Sequence, residues 1–289
     1  MIEAFIKAAL RAPVRQLRKV RRHAAAARLR DHEHATLRAI GAALIESLSD
    51  ADSDAERSAI AEIEERRSAL LASDRQIAFI DFGAGSPDSN RSEAEMQLGV
   101  NSTELVSKLC LASKPRFWAH ILFKLIRNLQ PTSCIELGSC VGISAAYISA
   151  ALDLNGDGRL LTLEGAPEIA EIAQQTLAGQ ASNRASVVVG PFQETFEGAL
   201  SDLGSVDFFF NDGHHDHDAV LGYFEQALPH LGDEAVVVID DIRWSGGMLR
   251  AWRAIEDHGR VAATIDLGPI GISVLSAQPC AKQKFTIRL

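Results

Sequence analysis

The sequence predicts an α/β protein: a seven-stranded, mostly parallel sheet with an antiparallel last hairpin, preceded by an α-helical extension. Three observations carry this. From Pro131 onward, the apolar runs "SCIELG", "RLLTLE", "SVVVG", "VDFFFND" and "AVVVIDD" alternate with segments of helical length. Runs that are apolar on both faces and joined by helices belong in a parallel sheet covered on both sides. The last two runs, "VAATIDL" and "ISVLSA", are separated only by "GPIG", too short for a parallel crossover, so they pair antiparallel. Residues 1–75 are rich in Ala, Leu, Arg and Glu, with Pro13 as the one strong breaker, and read as helix.

Within the extension, Leu37, Ile40, Leu44, Ile45 and Leu48 recur at three- and four-residue steps and form an amphipathic stripe. "DADSDAERSAIAEIEERRSALL" then reads as a capped turn and a further helix. "IAFI" is strand-like and runs into "DFGAGS"; residues 87–101 are loop-like. Residues 102–129 have helical periodicity, broken at Lys114-Pro115. The chain thus divides into a helical extension (1–75), a connecting loop with lid helices (76–130) and a ligand-binding domain (131–289).

Composition narrows the function. With 289 residues, 47% of them hydrophobic, the chain has enough apolar material for one sizeable core. A net charge of −9 argues against general nucleic-acid binding, which needs a basic face. Residues 1–35 hold nine Lys/Arg against three Asp/Glu. A basic helix of this kind can rest weakly on an acidic membrane surface, dock on its own protein or form a homo-oligomer contact. The four cysteines show no paired spacing, no run approaches 18 apolar residues, and the N-terminus lacks the apolar centre of a secretory signal. A cytoplasmic protein is the expectation.

Two glycine-bearing segments compete as the ligand loop. "CIELGSCVGIS" has a strand before it, a helix after it and a second strand ending in Glu164, the arrangement at the carboxyl edge of an open α/β sheet. "DFGAGS" is followed by proline and "DSN", with no helix N-terminus to complete a site. Its glycines read as a turn or as part of a lid. NAD is the obvious rival ligand, but the glycines follow G-x-x-x-G (Gly138, Gly142) rather than G-x-G-x-x-G. Glu136 precedes them and would repel a diphosphate while suiting an ammonium group. The implied ligand has a cationic end at the loop and a ribose whose hydroxyls meet Glu164, a description that S-adenosylmethionine fits.

Here the sequence resembles class I S-adenosylmethionine-dependent methyltransferases, near the catechol O-methyltransferase-like branch and a group of uncharacterised bacterial methyltransferase-like proteins. "IELGSCVGIS", "TLEG" and "GPFQET" carry the resemblance, over residues 115–277. It implies a Rossmann-like methyltransferase fold and a small-molecule hydroxyl acceptor. It also implies a cofactor site of Glu136, Gly138, Ser139, Gly142, Glu164, Gly190, Phe192, Gln193 and Asp212. In that branch an acid after the fourth strand and an acidic pair after the fifth hold a divalent metal. The matching positions are Asp212, Asp240 and Asp241, oxygen donors suited to Mg²⁺ or another divalent cation. The bland reading has the same acids capping turns and helices.

His215 stands three residues after Asp212, where catechol-type enzymes carry a lysine base, and a neutral imidazole can take a hydroxyl proton. Asp212 and His215 are thus the catalytic candidates. Zinc at His214, His215 and His217 lacks a completing ligand set. Trp244 reads as packing or lid, and Cys140 as a small residue beside the ligand. A catalytically silent cofactor-binding scaffold is the alternative from another class, with an NAD-dependent oxidoreductase behind it.

Overall fold

A computed structural model describes residues 20–83, 91, 93–180, 183–278 and 280–289. The basic stretch up to residue 19, and residues 84–90 of the "DFGAGS" turn and the loop after it, lie outside the described residues. The first described helix, α1, covers residues 20–30. It is followed by α2 (Ala35–Ser49) and α3 (Asp54–Leu71). The turn between them is capped as the sequence implies: Ser53 accepts from the Glu56 N–H, and Glu56 accepts from the Ser53 N–H.

A separate two-stranded ribbon comes next, β1 (Gln76–Asp81) against β2 (Val100–Leu105), antiparallel, with α4 (Glu93–Leu98) between them. Residues 102–105, expected to be helical, therefore belong to a strand. Their partner lies far away in sequence, and a six-residue run cannot announce that pairing through its own periodicity. Helix begins only at α5 (Val106–Ala112) and resumes at α6 (Arg116–Leu129), with Lys114-Pro115 as the break.

The main sheet contains β3 (Ser133–Leu137), β4 (Arg159–Glu164), β5 (Ala185–Val189), β6 (Val206–Asn211) and β7 (Leu231–Ile239). It also contains β8 (Val261–Asp266), β9 (Gly271–Leu275) and β10 (Gln283–Thr286). The spatial order is β10-β8-β9-β7-β6-β3-β4-β5. Strands β3 to β7 pair parallel, and β9 pairs antiparallel with both β7 and β8. The expected hairpin is present. An eighth strand, β10, adds to the seven expected, parallel to β8; its four residues, with Phe285 the one apolar side chain, are too few to carry a strand pattern of their own.

Helices α7 (Ile143–Asn155), α8 (Pro167–Ala178), α9 (Phe192–Leu203), α10 (His217–Ala227) and α11 (Gly246–Asp257) connect the strands. The strands are apolar on both faces because both faces are covered. In β6, Phe208 and Phe210 join the core shared with α6 and α7, while Phe209 joins the core shared with α9, α10 and α11. On the first face α2 lies along α6 and α3 along α7. Among the described residues, no helix is long and apolar enough to cross a membrane.

A buried ion network ties this outer helical layer down. Lys124 of α6 is 1% exposed, with Nζ 3.0 Å from both Asp52 Oδ1 and Glu56 Oε2 and 2.9 Å from the Ala51 carbonyl. Arg127 Nε donates to Glu56 Oε1 at 3.0 Å, and His120 Nε2 lies 2.9 Å from Asp52 Oδ1. Buried charges persist where they are paired and hydrogen-bonded, as these are. The clamp holds α6 in place, and Lys114 stands just before that helix begins.

Candidate active site

Strand β3 is the switch point of the sheet: β4 lies on one side and β6 on the other. The loops leaving these strands open a crevice at their carboxyl ends, the place where such sheets take ligands. A cavity of about 300 Å³ occupies it, lined by Gly138, Ser139, Cys140, Ser144, Glu164, Phe192, Asp212, His215 and Lys114, with Phe79–Gly83 of the ribbon across from them.

Backbone geometry explains the first glycine. Gly138 has φ +95°, and a Cβ there would lie 2.5 Å from the Asp212 carbonyl oxygen, so the β3 and β6 loops touch only because no side chain intervenes. Gly142 (φ +85°) serves packing instead, since a Cβ there would lie 2.9 Å from Ala173 Cα on α8. Gly142 precedes α7 as its N-cap and does not line the cavity.

Glu164 lies at the end of β4. Its Oε2 accepts from the Cys140 N–H at 2.9 Å and its Oε1 from the Ala166 N–H at 3.1 Å. Burial pushes its carboxyl up to about 7, against those backbone hydrogen bonds. Glu136 is buried behind the loop rather than on the cavity wall. Ser139 Oγ and Thr162 Oγ1 lie 2.5 Å apart, and Thr162 donates to Glu136 Oε2 at 2.5 Å. Burial lifts Glu136 to about 7 as well, with the nearby Ser144 and Thr162 hydroxyls opposing the rise. Its Oε1 has no hydrogen-bond partner, an unsatisfied acceptor just behind cavity-lining Ser144. That buried acceptor and the Glu164 carboxylate are the groups available to the cationic and ribose ends of S-adenosylmethionine.

Besides Gly142 and Glu136, two further expected cofactor residues stand off the cavity wall. Phe192 is on the cavity wall, but Gln193, one residue further along α9, is exposed and lines a neighbouring depression with Asp216 and Tyr223. Successive residues of a helix point about 100° apart, so both could not face the cavity. Gly190 (φ +134°) supports the turn, its N–H bonded to the Glu164 carbonyl at 2.9 Å, and does not line the cavity. The Cys140 thiol, pushed up to about 12 by burial and then by Glu164, is unsuited to act as a nucleophile.

The ends of β6 and β7 bring the acids together. Donor atoms of Asp212, His215 and Asp240 lie within 4.8 Å of one another, and Asp241 (φ +50°) stays outside that group. His215 Nε2 lies 3.3 Å from Asp241 Oδ2 and 3.7 Å from Asp212 Oδ1, with the Trp244 ring 5.6 Å away.

Sequence reasoning missed Lys114. Only 9% exposed, its ammonium contacts Asp240 Oδ2 and lies 3.3 Å from Asp212. Burial opposes its charge, but Asp212 and then Asp240 outweigh this and hold the lysine above its ordinary range. Burial likewise opposes the charge of Asp212, which Lys114 and His215 nevertheless hold below the usual carboxylate range. Asp240 goes the other way, pushed well up by burial and by Asp212. A divalent ion needs ionised oxygens and open coordination positions. Here an ammonium lies against both carboxylates and one acid favours its protonated form, so these residues do not fit a metal centre. The available signal was Pro115, which keeps Lys114 out of the helix and leaves it free to turn toward the sheet edge.

His214 does structural work. It is buried, with Nε2 donating to the Phe82 carbonyl at 2.6 Å and Nδ1 3.0 Å from the Tyr223 hydroxyl. Burial lowers its pKa, in keeping with a neutral ring bonded at both nitrogens. The near end of "DFGAGS" is thereby tied to the β6 loop; residues 84–86 of that turn lie outside the described residues.

Residues 135–242, from β3 to just past β7, match the family described as a methyltransferase domain. Over these residues the chain is similar to methyltransferase domains. Its fold recurs in the methyltransferase PaMTH1 of Podospora anserina, a structure with S-adenosylhomocysteine bound. That structure is 16% identical, covers 58% of this chain and 81% of its own, and has a TM-score of 0.51. The O-methyltransferase TomG of Streptomyces achromogenes, in complex with S-adenosylmethionine, is 23% identical over 57% of this chain and 82% of its own, TM-score 0.50. At these identities the likeness is one of fold. No curated protein matches the chain. The glycine loop, Glu164, Asp212 and Asp240 all fall inside the matched segment, while Lys114 and the ribbon lie before it.

Proposed function

We propose that the methyltransferase domain takes S-adenosylmethionine in this cavity and methylates a hydroxyl group of a small molecule. Residues 131–289 would hold the cofactor, and residues 76–130 would cover it. One observation carries the reading. A single cavity has the Gly138–Cys140 backbone and the Glu164 carboxylate on one wall and His215 beside an acidic cluster on the other. The cofactors in the PaMTH1 and TomG structures support the choice of ligand, and TomG's description as an O-methyltransferase supports the acceptor class.

When bound, S-adenosylmethionine supplies a methyl group on a positively charged sulfur. Glu164 would accept hydrogen bonds from the ribose hydroxyls, exchanging its present backbone donors for ligand donors. The unpartnered oxygen of Glu136 would attract the ammonium end through the Ser139–Ser144 layer. Phe192 and Phe82 line the cavity with apolar surface, and with the cofactor bound they would help to keep water from its polar contacts. His215 would take the acceptor's proton. Once protonated, its ring carries hydrogen on both nitrogens, and the carboxylates of Asp241 and Asp212, 3.3 and 3.7 Å from Nε2, stabilise the new charge.

Calorimetry with S-adenosylhomocysteine and with NAD, followed by a screen of hydroxylated small molecules with labelled S-adenosylmethionine, tests this. Binding of S-adenosylhomocysteine alone and transfer to an oxygen are expected. His215→Ala should lower the transfer rate by about 10²–10⁴ with cofactor affinity unchanged. Binding of NAD alone would end the reading, and tight cofactor binding without transfer to any acceptor would leave a silent scaffold. An equally fast His215→Ala enzyme would remove the base assignment.

A further inference from the structure

Two acids, Asp212 and Asp240, meet at the ends of β6 and β7, yet the cation against them is part of the chain. Lys114 reaches Asp240 and Asp212 from the segment between α5 and α6, with 9% of its side chain exposed and Asp240 only 2% exposed. Neither partner has bulk water to replace the other. Lys114 also lines the cavity itself, beside Asp212 and His215.

We propose that Lys114 is the resident cation of this site, holding the place between Asp212 and Asp240 that a divalent metal would otherwise take. Three consequences follow from the geometry. First, a metal could enter only by displacing a buried ammonium that lies against both carboxylates, and at this range the repulsion between a divalent ion and an ammonium left in place is severe. Second, an ammonium has three donors and Lys114 has two acidic partners, so one hydrogen remains for an oxygen in the cavity that it lines. The acceptor hydroxyl would meet a hydrogen-bond donor there instead of a Lewis acid, and the developing charge on its oxygen would face a fixed positive group. Third, the position of that group is set by α6, which the clamp from Glu56 and Asp52 to Lys124 and Arg127 holds in place. The charge is therefore built into the fold.

The inference about acceptor binding rests on the methyltransferase reading; the inference about the cation does not. The test is titration of the full chain with Mn²⁺, following the paramagnetic resonance signal of the free ion, with S-adenosylhomocysteine affinity measured on the same samples. The wild-type protein should leave equimolar Mn²⁺ free, and Lys114→Met should bind it at least about tenfold more tightly, because one repelling charge is gone. Adding Asp240→Asn to Lys114→Met should abolish that gain. Tight Mn²⁺ binding by the wild-type protein overturns the proposal, whatever the variants do. So does a folded Lys114→Met protein that binds Mn²⁺ no better than wild type. Should Lys114→Met fail to fold, Lys114→Gln, which removes the charge and keeps a hydrogen-bond donor on the side chain, carries the same comparison. A wild-type protein that binds neither Mn²⁺ nor S-adenosylhomocysteine would count against the cofactor reading while leaving the resident cation standing.

Discussion

Replacing Glu56 by Gln removes one negative charge from the centre of the α2–α3–α6 clamp while keeping the side chain's shape. The Glu56 carboxyl accepts from the Ser53 N–H at 2.8 Å, from Lys124 at 3.0 Å and from Arg127 at 3.0 Å. Burial works against its charge, but these three donors outweigh burial and hold the carboxyl down from 4.5 to about 2. A depression of that size corresponds to on the order of 3 kcal/mol of folding free energy at neutral pH. The unfolded chain takes up its proton near 4.5 and the folded chain only near 2, so this stability is complete above 4.5 and is lost as pH falls toward 2. Urea unfolding followed by circular dichroism should therefore place Glu56→Gln about 3 kcal/mol below wild type at neutral pH, with the gap closing steadily through the acid range. A gap under about 0.5 kcal/mol at neutral pH would show that Asp52 alone satisfies Lys124. A gap of full size that did not narrow on acidification would show that packing, and not charge, holds the helices together.

Two further perturbations address the cofactor loop. Gly138→Ala should cost on the order of 3 kcal/mol in stability, because φ +95° disfavours a side chain and the new Cβ would meet the Asp212 backbone at 2.5 Å. It should also abolish S-adenosylhomocysteine binding, and a variant that melts and binds like wild type would refute the close approach of the β3 and β6 loops. Glu164→Gln should weaken S-adenosylhomocysteine binding about tenfold through the loss of a charged acceptor. Because the Glu164 carboxyl is raised to about 7, wild-type affinity should fall as pH drops through that value and the Gln variant should lack this part of the fall. Glu136 titrates in both proteins, so parallel affinity curves in calorimetry would refute the Glu164 assignment.

The parts of the fold that announce themselves in the sequence are those made by local chemistry. The β3–Gly138–α7 unit reads directly, since a strand, a turn requiring positive φ and an Ala-rich helix follow one another without interruption. So does the Ser53–Glu56 capping box, and so do the acids that close β6 and β7. Features set by distant partners do not read. The strand character of Val100–Leu105 depends on Gln76–Asp81, and β10 is a strand only because β8 offers it an edge. Lys114 shows the limit most clearly. Its sequence neighbourhood is a helix break, and nothing local says that its ammonium would reach two carboxylates about a hundred residues or more away. Gln193 fails differently: the motif names the right turn, but helical geometry lets only Phe192 face the cavity.

His214 fastens the carbonyl of Phe82, and the ring of that same Phe82 lies over Gly165, where a Cβ would come within 2.9 Å of it. The ribbon is thus secured at one residue to both sides of the crevice, to the β6 loop by a hydrogen bond and to the β4 loop by an aromatic face. A ligand entering or leaving past this residue must break both attachments together. The residence time of any bound molecule would then reflect the opening rate of Phe82 as well as its own contacts. Dissimilar ligands should share a common slow exchange step, one that weakening His214 would accelerate for all of them alike.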